Sequence, residues 1–412
     1  MDEPQSILVR APNWLGDAVM ALPVFAALRE RFPRARIAAA CRANLTDIFA
    51  AAPDVDETVP VPRGTVALLH HALSLRPRRF DLGILLTNSF ATAAWLRLAG
   101  TRARIGYARD GRALLLTRAV KTTPEILVAH QAKYYFALLR ECGIERPLPR
   151  PRLTLTTKAE AEAEAYRQAQ GLTPGRYAVI APCSAFGPVK DWAPERYAET
   201  ARALAAGGLD VAVTGTPAQR ETIAKICGDG GRPGGRILNA GGAVSLQGLF
   251  ALIRQAAVFV GGDSGSAHAA AAVDTPAVVI FGITEPSRTR PLGDDAQIRI
   301  IGKGGLETPD LHSPEVAAAA RAALEAIAAE EVIAAAQAVM RKNCLFPFIR
   351  RMQPWRLSRK NCGRKFWGIT TSSWSVPARR AAARHWAPPG RGRRCCCWSI
   401  STLSAGRGRN IS

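Results

Sequence analysis

ILVRAPNWLGDAVMALPVFAALRERF, residues 7–32, decides the fold. The β-type run Ile7-Leu8-Val9 breaks into a loop, and Gly16-Asp17 opens an amphipathic helix over about 17–32. The other half of the chain carries a counterpart, AVFVGGDSGSAHAAAAVDTPAVVIFG, residues 257–282. There Val258-Phe259-Val260 runs into Gly261-Gly262-Asp263-Ser264-Gly265 and a further helix. A glycine-bearing turn between a buried strand and a helix aims backbone N–H groups at whatever anion lies in front of it. Two such turns predict two α/β domains facing each other across a ligand cleft, with their acidic residues where chemistry could happen.

The rest of the chain extends that pattern. Residues 7–140 alternate strand-like and helix-like segments: RIAAACR, a short helix near 44–52, FDLGILLTN, a helix near 89–99, RIGYA, and the helical VAHQAKYYFALLREC. The stretch GIERPLPRPRLTL, with prolines at 147, 149 and 151, cannot be regular structure and marks a linker. A charged helix over 157–170 follows. The alternation then restarts with YAVIAP, a helix over 194–206, LDVAVTG, a helix over 217–227, the loop GDGGRPGGR, ILNAGG, a helix near 245–256, AVFVGG and AVVIFG. One or two Ala-rich helices close the unit between Ser313 and about Met340. Strand–helix alternation of this kind argues for parallel sheets covered on both faces. The expected domains are 1–150 and 151–340, both Rossmann-like and doubly wound, followed by a tail, 341–412.

The tail carries most of the charge. The 412 residues have a net charge of +22, but residues 341–412 contain 17 Lys and Arg and no Asp or Glu. Residues 1–340 therefore hold 38 basic against 33 acidic residues, a net of +5. A basic, Trp-interleaved segment suits nucleic acid or a membrane surface. Its lack of acids and of any helical or strand period fits an out-of-frame end of a GC-rich gene better, so no nucleic-acid partner is expected. Of the nine cysteines, five lie in the tail, three as Cys395-Cys396-Cys397, and none has metal-finger or disulfide-framework spacing. The polar start MDEPQS is no signal peptide, and no apolar run reaches the ~18 residues that span a bilayer. A cytoplasmic protein with reduced thiols is expected.

Several residues could carry chemistry. Asp17 is either a helix N-cap or a general base toward a hydroxyl nucleophile. Its loop, APNWLGDA, has one glycine and no G-x-G-x-x-G, which argues against a dinucleotide cofactor. Lys190 projects from the irregular loop APCSAFGPVKDW, residues 181–192, as either a solvated side chain or a phosphate contact. Ser264 and the N–H groups of the GGDSGSAH turn suit a diphosphate, and His268, one turn on, is either a core histidine or faces the same anion.

In combination NWLGDAVMALP (13–23), LTNSFATAAWLRLAGTRARIGYARDGRALLLT (86–117), APCSAFGPVKDW and GGDSGSAHAAAAVDTPAVVIFGITEP (261–286) resemble the lipopolysaccharide heptosyltransferases, nearest to the members that add the second heptose. Four motifs in order at comparable spacing, over about residues 7–300, make the resemblance specific. It implies the GT-B fold and inverting transfer of heptose from ADP-L-glycero-β-D-manno-heptose to the first heptose of the inner core, at the inner leaflet with peripheral membrane contact. It assigns Asp17 as the base that deprotonates the acceptor hydroxyl, and Lys190 to the donor diphosphate. Asp263 falls near the donor sugar, and Ser264, Gly265 and His268 in the diphosphate turn. Asn88 and Ser89 face the cleft, and Arg104, Arg109 and Arg112 are either contacts to acceptor phosphates or carboxylates, or solvated. With Lys190 and N–H groups holding the charge of the departing ADP, neither metal nor cofactor is called for. Ala185 stands where relatives often carry Glu, FGITEP is an altered turn, and the likeness fades after about residue 300. Competing readings are a family member with another acceptor, and a nucleic-acid-binding protein acting through the tail.

Overall fold

Twelve strands form two six-stranded parallel sheets in the computed structural model, which describes residues 3–228, 234–302, 304–305 and 313–344. The first sheet comprises β1 (Ser6–Arg10), β2 (Arg36–Cys41), β3 (Glu57–Pro60), β4 (Leu82–Leu85), β5 (Ala103–Tyr107) and β6 (Arg118–Val120). The second comprises β7 (Tyr177–Ala181), β8 (Asp210–Val213), β9 (Ile237–Asn239), β10 (Val258–Gly262), β11 (Ala277–Ile280) and β12 (Ile298–Ile301). The strand orders are β3-β2-β1-β4-β5-β6 and β12-β11-β10-β7-β8-β9. Read from its own first strand, each sheet has the same order, that of a doubly wound Rossmann unit. The order reverses between β1 and β4 in one sheet and between β7 and β10 in the other. Ligands bind beyond the carboxyl ends of strands at such switch points, so the topology itself puts residues 11–17, 86–89, 182–191 and 263–268 where ligands go.

The central strands are apolar because both faces are covered; Ile7, Leu8 and Val9 are all fully buried, as are Val258, Phe259 and Val260. Ser6–Arg10 pairs in parallel with both Arg36–Ala40 and, from Ile7, with Leu82–Leu85. The helix Leu15–Arg31 is apolar over most of its circumference, with ten buried residues. It needs to be, because it lies on the first sheet and also meets the helix Gly265–Ala272 of the second half. One continuous apolar cluster accordingly joins residues of both halves, Ile7 and Phe25 among them with Phe259 and Ala267.

The expected helices at 157–170 and 194–206 appear as Thr157–Gln170 and Pro194–Ala206. The first is capped by Thr156, which accepts from Ala159 N–H, and ends at Gly171 with φ +64°. The segment 147–156 holds neither helix nor strand. Three edge strands, β3, β6 and β12, and the helix Thr65–Leu75 were not anticipated; the strands are only three or four residues long. VAHQAKYYFALLREC is not one helix but an α-helix, Gln131–Ala137, tightening into a 3-10 turn, Leu138–Cys142, closed by Gly143 at φ +71°. The closing helices are Pro314–Glu325 and Ala329–Cys344, so helix continues four residues past the expected boundary at Met340. The second packs on the helix Pro194–Ala206 and on β10, β11 and β12, burying Val332, Ala336 and Val339. The tail from 345 onward, and residues 229–233 of the glycine-rich loop, lie outside the described residues. Among the described residues no helix is long and apolar enough to cross a membrane.

Candidate active site

Between the halves lies a cavity of about 560 Å³, lined from one side by residues 14–17 and from the other by the loops after β7, β8, β9 and β10. A smaller one of about 250 Å³ sits on the first half, between the loops after β1 and β4. Trp14 and Asp17 line both. Among the described residues Asp17 is thus the only ionisable side chain shared by the two cavities.

The local sequence explains how Asp17 gets there. Arg10 ends β1 almost wholly buried, donates to Asn13 Oδ1 at 2.6 Å and to the carbonyls of Ala11 and Ala40, and so holds the turn. Burial pulls its pKa down to about 10, with Arg42 adding to the effect. Trp14, 57% exposed, precedes the first helical residue and makes no side-chain cap. Asp17 is the third residue of the helix and not its N-cap, which disposes of the capping role left open by the sequence. Its Oδ1 accepts from the Tyr135 hydroxyl at 2.8 Å, leaving Oδ2 for another partner. Burial raises the Asp17 pKa; the Tyr135 hydrogen bond and the Lys190 charge oppose that, while Asp263 adds to it. A carboxylate made more basic in this way suits proton abstraction near neutral pH.

Opposite stands the second turn. Lys190 ends the 3-10 turn Pro188–Lys190, preceded by Gly187 at φ +107°, a conformation that favours glycine. The loop is pinned by Asp191, whose carboxylate accepts from Ser184 N–H at 2.6 Å, and by buried Trp192, whose Nε1 donates to Ile327 O at 3.2 Å. The Lys190 ammonium meets Asp263 Oδ2 at 2.5 Å, and the Thr284 hydroxyl donates to the same oxygen at 3.1 Å. Ser264 precedes the helix Gly265–Ala272 without capping it, and its buried hydroxyl has no protein partner although it lines the cavity. A buried unpaired hydroxyl costs about 1–3 kcal/mol, so a ligand oxygen that accepts from it would be favoured. His268 is 5% exposed, and burial lowers its pKa to about 4, outweighing the opposing pull of Asp263. It is therefore neutral at physiological pH and packs against Gly16, where a Cβ would lie 2.8 Å from its Cδ2. Gly265 likewise leaves no room for a side chain against Leu15. The two glycines are what let the two turns touch.

The first-half residues separate into two groups. Asn88 Oδ1 accepts from the Tyr134 hydroxyl at 3.0 Å and from Arg112 Nη2 at 3.1 Å, and Asn88 lines the smaller cavity with Ser89. Ser89 also caps the helix Phe90–Leu98. Arg112 is fully buried and donates to the Tyr107 and Thr87 carbonyls, so it props up the Asn88 loop and is not on the cavity wall. Arg109 is exposed beyond the carboxyl end of β5. Arg104 stands apart: it lies near the amino end of β5, with its guanidinium donating to the carbonyls of Leu115 and Thr101 at 2.7 and 2.6 Å. Nothing in the local sequence singles out Tyr135, Thr284 or Asp191. His130, just ahead of the helix Gln131–Ala137, links the halves through Nε2 to Arg290 O at 2.9 Å. Among the described residues no three His, Cys, Asp or Glu side chains gather as a metal site.

The model of glycosyltransferase family 9 (heptosyltransferase) matches residues 68–317. The chain is 30% identical over 309 residues to lipopolysaccharide heptosyltransferase 2 of Escherichia coli strain K12, covering 72% of this chain and 88% of that one. Its fold is similar to the solved E. coli ADP-heptose LPS heptosyltransferase II, with a TM-score of 0.68 and 25% identity over 82% of this chain and 99% of that one. A family 9 glycosyl transferase from Veillonella parvula DSM 2008 superimposes with a TM-score of 0.73 at 19% identity, over 82% and 98% of the two chains, and supports the fold. The arrangement of two Rossmann units about a cleft is GT-B, and the chain belongs to glycosyltransferase family 9, the heptosyltransferases.

Proposed function

We propose that the protein is an inverting glycosyltransferase that moves L-glycero-D-manno-heptose from ADP-heptose onto the first heptose of the lipopolysaccharide inner core, on the cytoplasmic side of the membrane. The observation that carries the reading is the carboxylate of Asp17 at the junction of two cavities. The larger cavity falls within the ~300–1,000 Å³ of small-molecule sites, and it has a lysine and an unpaired serine hydroxyl on its wall. The donor goes there, on the half formed by 151–340, and the acceptor takes the smaller cavity, on 1–150. Asp17 Oδ2 takes the proton of the acceptor hydroxyl as its oxygen attacks the anomeric carbon. The bond from that carbon to the β-phosphate oxygen breaks on the opposite face, and ADP departs with the electron pair. Lys190, Ser264 and the N–H groups opening the helix at Gly265 stabilise the charge that builds on the diphosphate. Asp263 keeps the ammonium pointed into the cavity, and His268, being neutral, adds no competing charge. Asn88, Ser89 and Arg109 contact the acceptor.

The test is incubation with ADP-heptose and a mono-heptosylated inner-core acceptor, read by mass spectrometry. The expected product is heavier by one heptose. Transfer to an acceptor with no heptose, or with two, and none to the mono-heptosylated one would assign the enzyme to another member of the family. Absence of transfer to all three would refute the reading.

A further inference from the structure

On the outer side of the first sheet, the helices Thr65–Leu75 and Phe90–Leu98 and the 3-10 turn Arg112–Leu115 pack side by side over a core that includes Ala72, Leu75, Trp95 and Leu96. Their inward faces account for that core, but their outward faces are not polar. Val66, Leu69 and Leu73 recur at i, i+3 and i+7 on one helix and are 68%, 42% and 41% exposed. Phe90 is 53% exposed and Leu114 is 90% exposed. Scattered single apolar residues need no explanation, whereas a stripe on adjoining elements does.

The same part of the chain holds the positive charge of the body. Residues 58–124 contain 11 Lys and Arg against two acids, Asp81 and Asp110, a net of +9. Since residues 1–340 carry +5 in all, everything in them outside this stretch is net negative. Arg63, Arg76, Arg97 and Arg102, which flank the apolar stripe, are exposed. The stripe also runs to the smaller cavity, because Phe90 directly follows Asn88 and Ser89 on its wall.

We propose that this face is a docking surface for an anionic lipid leaflet, its apolar stripe seated among the acyl chains and its arginines on the headgroups. Apolar and basic residues interleaved on a helix face are what an interfacial helix needs, and each basic residue near an anionic surface adds to the attraction. A polynucleotide would match the charge but leave Val66, Leu69, Leu73 and Leu114 in water. Docked in this way, the mouth of the smaller cavity lies at the lipid surface, so a lipid-anchored acceptor reaches Asp17 without leaving the leaflet. This last point rests on the proposed function; the docking does not.

The test uses the full chain at physiological salt, with vesicles of phosphatidylcholine alone or with about a third phosphatidylglycerol. The protein is expected to float with the anionic vesicles, and segments 65–75, 90–98 and 109–116 to gain protection from deuterium exchange there and not with neutral vesicles. The variant V66S/L69S/L73S is expected to lose partitioning at least about tenfold with an unchanged melting temperature. R97E/R102E, which leaves the apolar stripe intact, is expected to lose it as well. Flotation equal to the unmodified chain in both variants, protection confined to other segments, or protection of these segments by a DNA duplex and not by vesicles would overturn the proposal. None of these readouts requires donor or acceptor, so they fail or succeed independently of the transferase assay.

Discussion

Replacing Asp17 with Asn separates a base from a helix-terminal acid by sign as well as size. Asn is nearly isosteric, its amide oxygen can still accept from the Tyr135 hydroxyl, and it cannot take a proton from an acceptor hydroxyl at neutral pH. Loss of general-base catalysis typically lowers the rate ~10²–10⁴-fold, so kcat should fall within that range while ADP binding by calorimetry stays unchanged. Stability should move the other way. The folded protein raises the Asp17 pKa, mainly through burial, so the folded state binds this proton more tightly than the unfolded chain does. The cost of keeping the ionised group folded is present above the folded pKa and vanishes below the unfolded one, near ~3.9. D17N should therefore melt higher than the unmodified protein at pH 7–8, and the two should converge as the pH approaches 4. Were Asp17 only a favourable acid in the first turn of a helix, its removal would cost ~0.3–1 kcal/mol, on the order of a 1–4 °C fall in Tm, with turnover intact. Turnover like that of the unmodified enzyme, or a lower Tm at pH 8, would refute the assignment.

Three further substitutions probe the same site. Lys190→Ala should weaken ADP and ADP-heptose about 10–100-fold, from a charge-assisted contact contributing ~1.5–3 kcal/mol, and AMP far less; equal losses for AMP and ADP by calorimetry would remove Lys190 from the diphosphate. It should also lower Tm, because Asp263, 8% exposed, loses its ion-pair partner. Tyr135→Phe removes a hydrogen bond that holds the Asp17 pKa down. The acid limb of the kcat profile should then move to higher pH, with the KM for donor unaltered, whereas a residue that only fills space would lower kcat without moving the limb. Gly16→Ala puts a Cβ 2.8 Å from the His268 ring, so the turns must separate; kcat/KM should drop at least tenfold, while activity retained within about twofold would show that the contact has slack.

What was legible in the sequence was what has a local cause. Buried parallel strands show as apolar runs, the end of the helix Thr157–Gln170 as Gly171, and the two strand–helix turns as glycines beside acids. Those features locate Asp17, Lys190, Asp263 and Ser264 beyond the carboxyl ends of three central strands, β1, β7 and β10, and the topology then brings them to one cleft. The short edge strands β3, β6 and β12 have no such signature, since ETVP, RAV and IRII each place a charged residue within three or four positions. Arg104 illustrates the converse limit. Beside the motif a basic residue reads either as an acceptor contact or as solvated, whereas its position near the amino end of β5 turns it toward the carbonyls of Leu115 and Thr101.

Tyr134 and Tyr135 show why the remainder of the site could not be read in one dimension. In sequence they are two apolar-looking residues of a helix, and both are indeed buried, at 7% and 4% exposure. A buried tyrosine must still place its hydroxyl, because an unpaired one costs about 1–3 kcal/mol. Adjacent residues on a helix diverge by about 100°, so neighbouring tyrosines deliver their hydroxyls to different places. One reaches Asn88 on the loop after β4 and the other reaches Asp17 after β1, 46 and 118 residues away in the chain. A third contact from the same segment, His130 to the Arg290 carbonyl, ties it to the opposite half. His130 can make that bond only as neutral imidazole with its proton on Nε2, since Nδ1 accepts from Ala132 N–H, and its pKa is lowered by burial. The helix Gln131–Ala137 and its N-cap His130 thereby hold Asp17 and the loop that carries Asn88, and bridge to the opposite half. Motion of one half against the other during donor entry or ADP release would thus reach Asp17 through Tyr135, which gives the Tyr135→Phe pH profile a meaning beyond a single hydrogen bond.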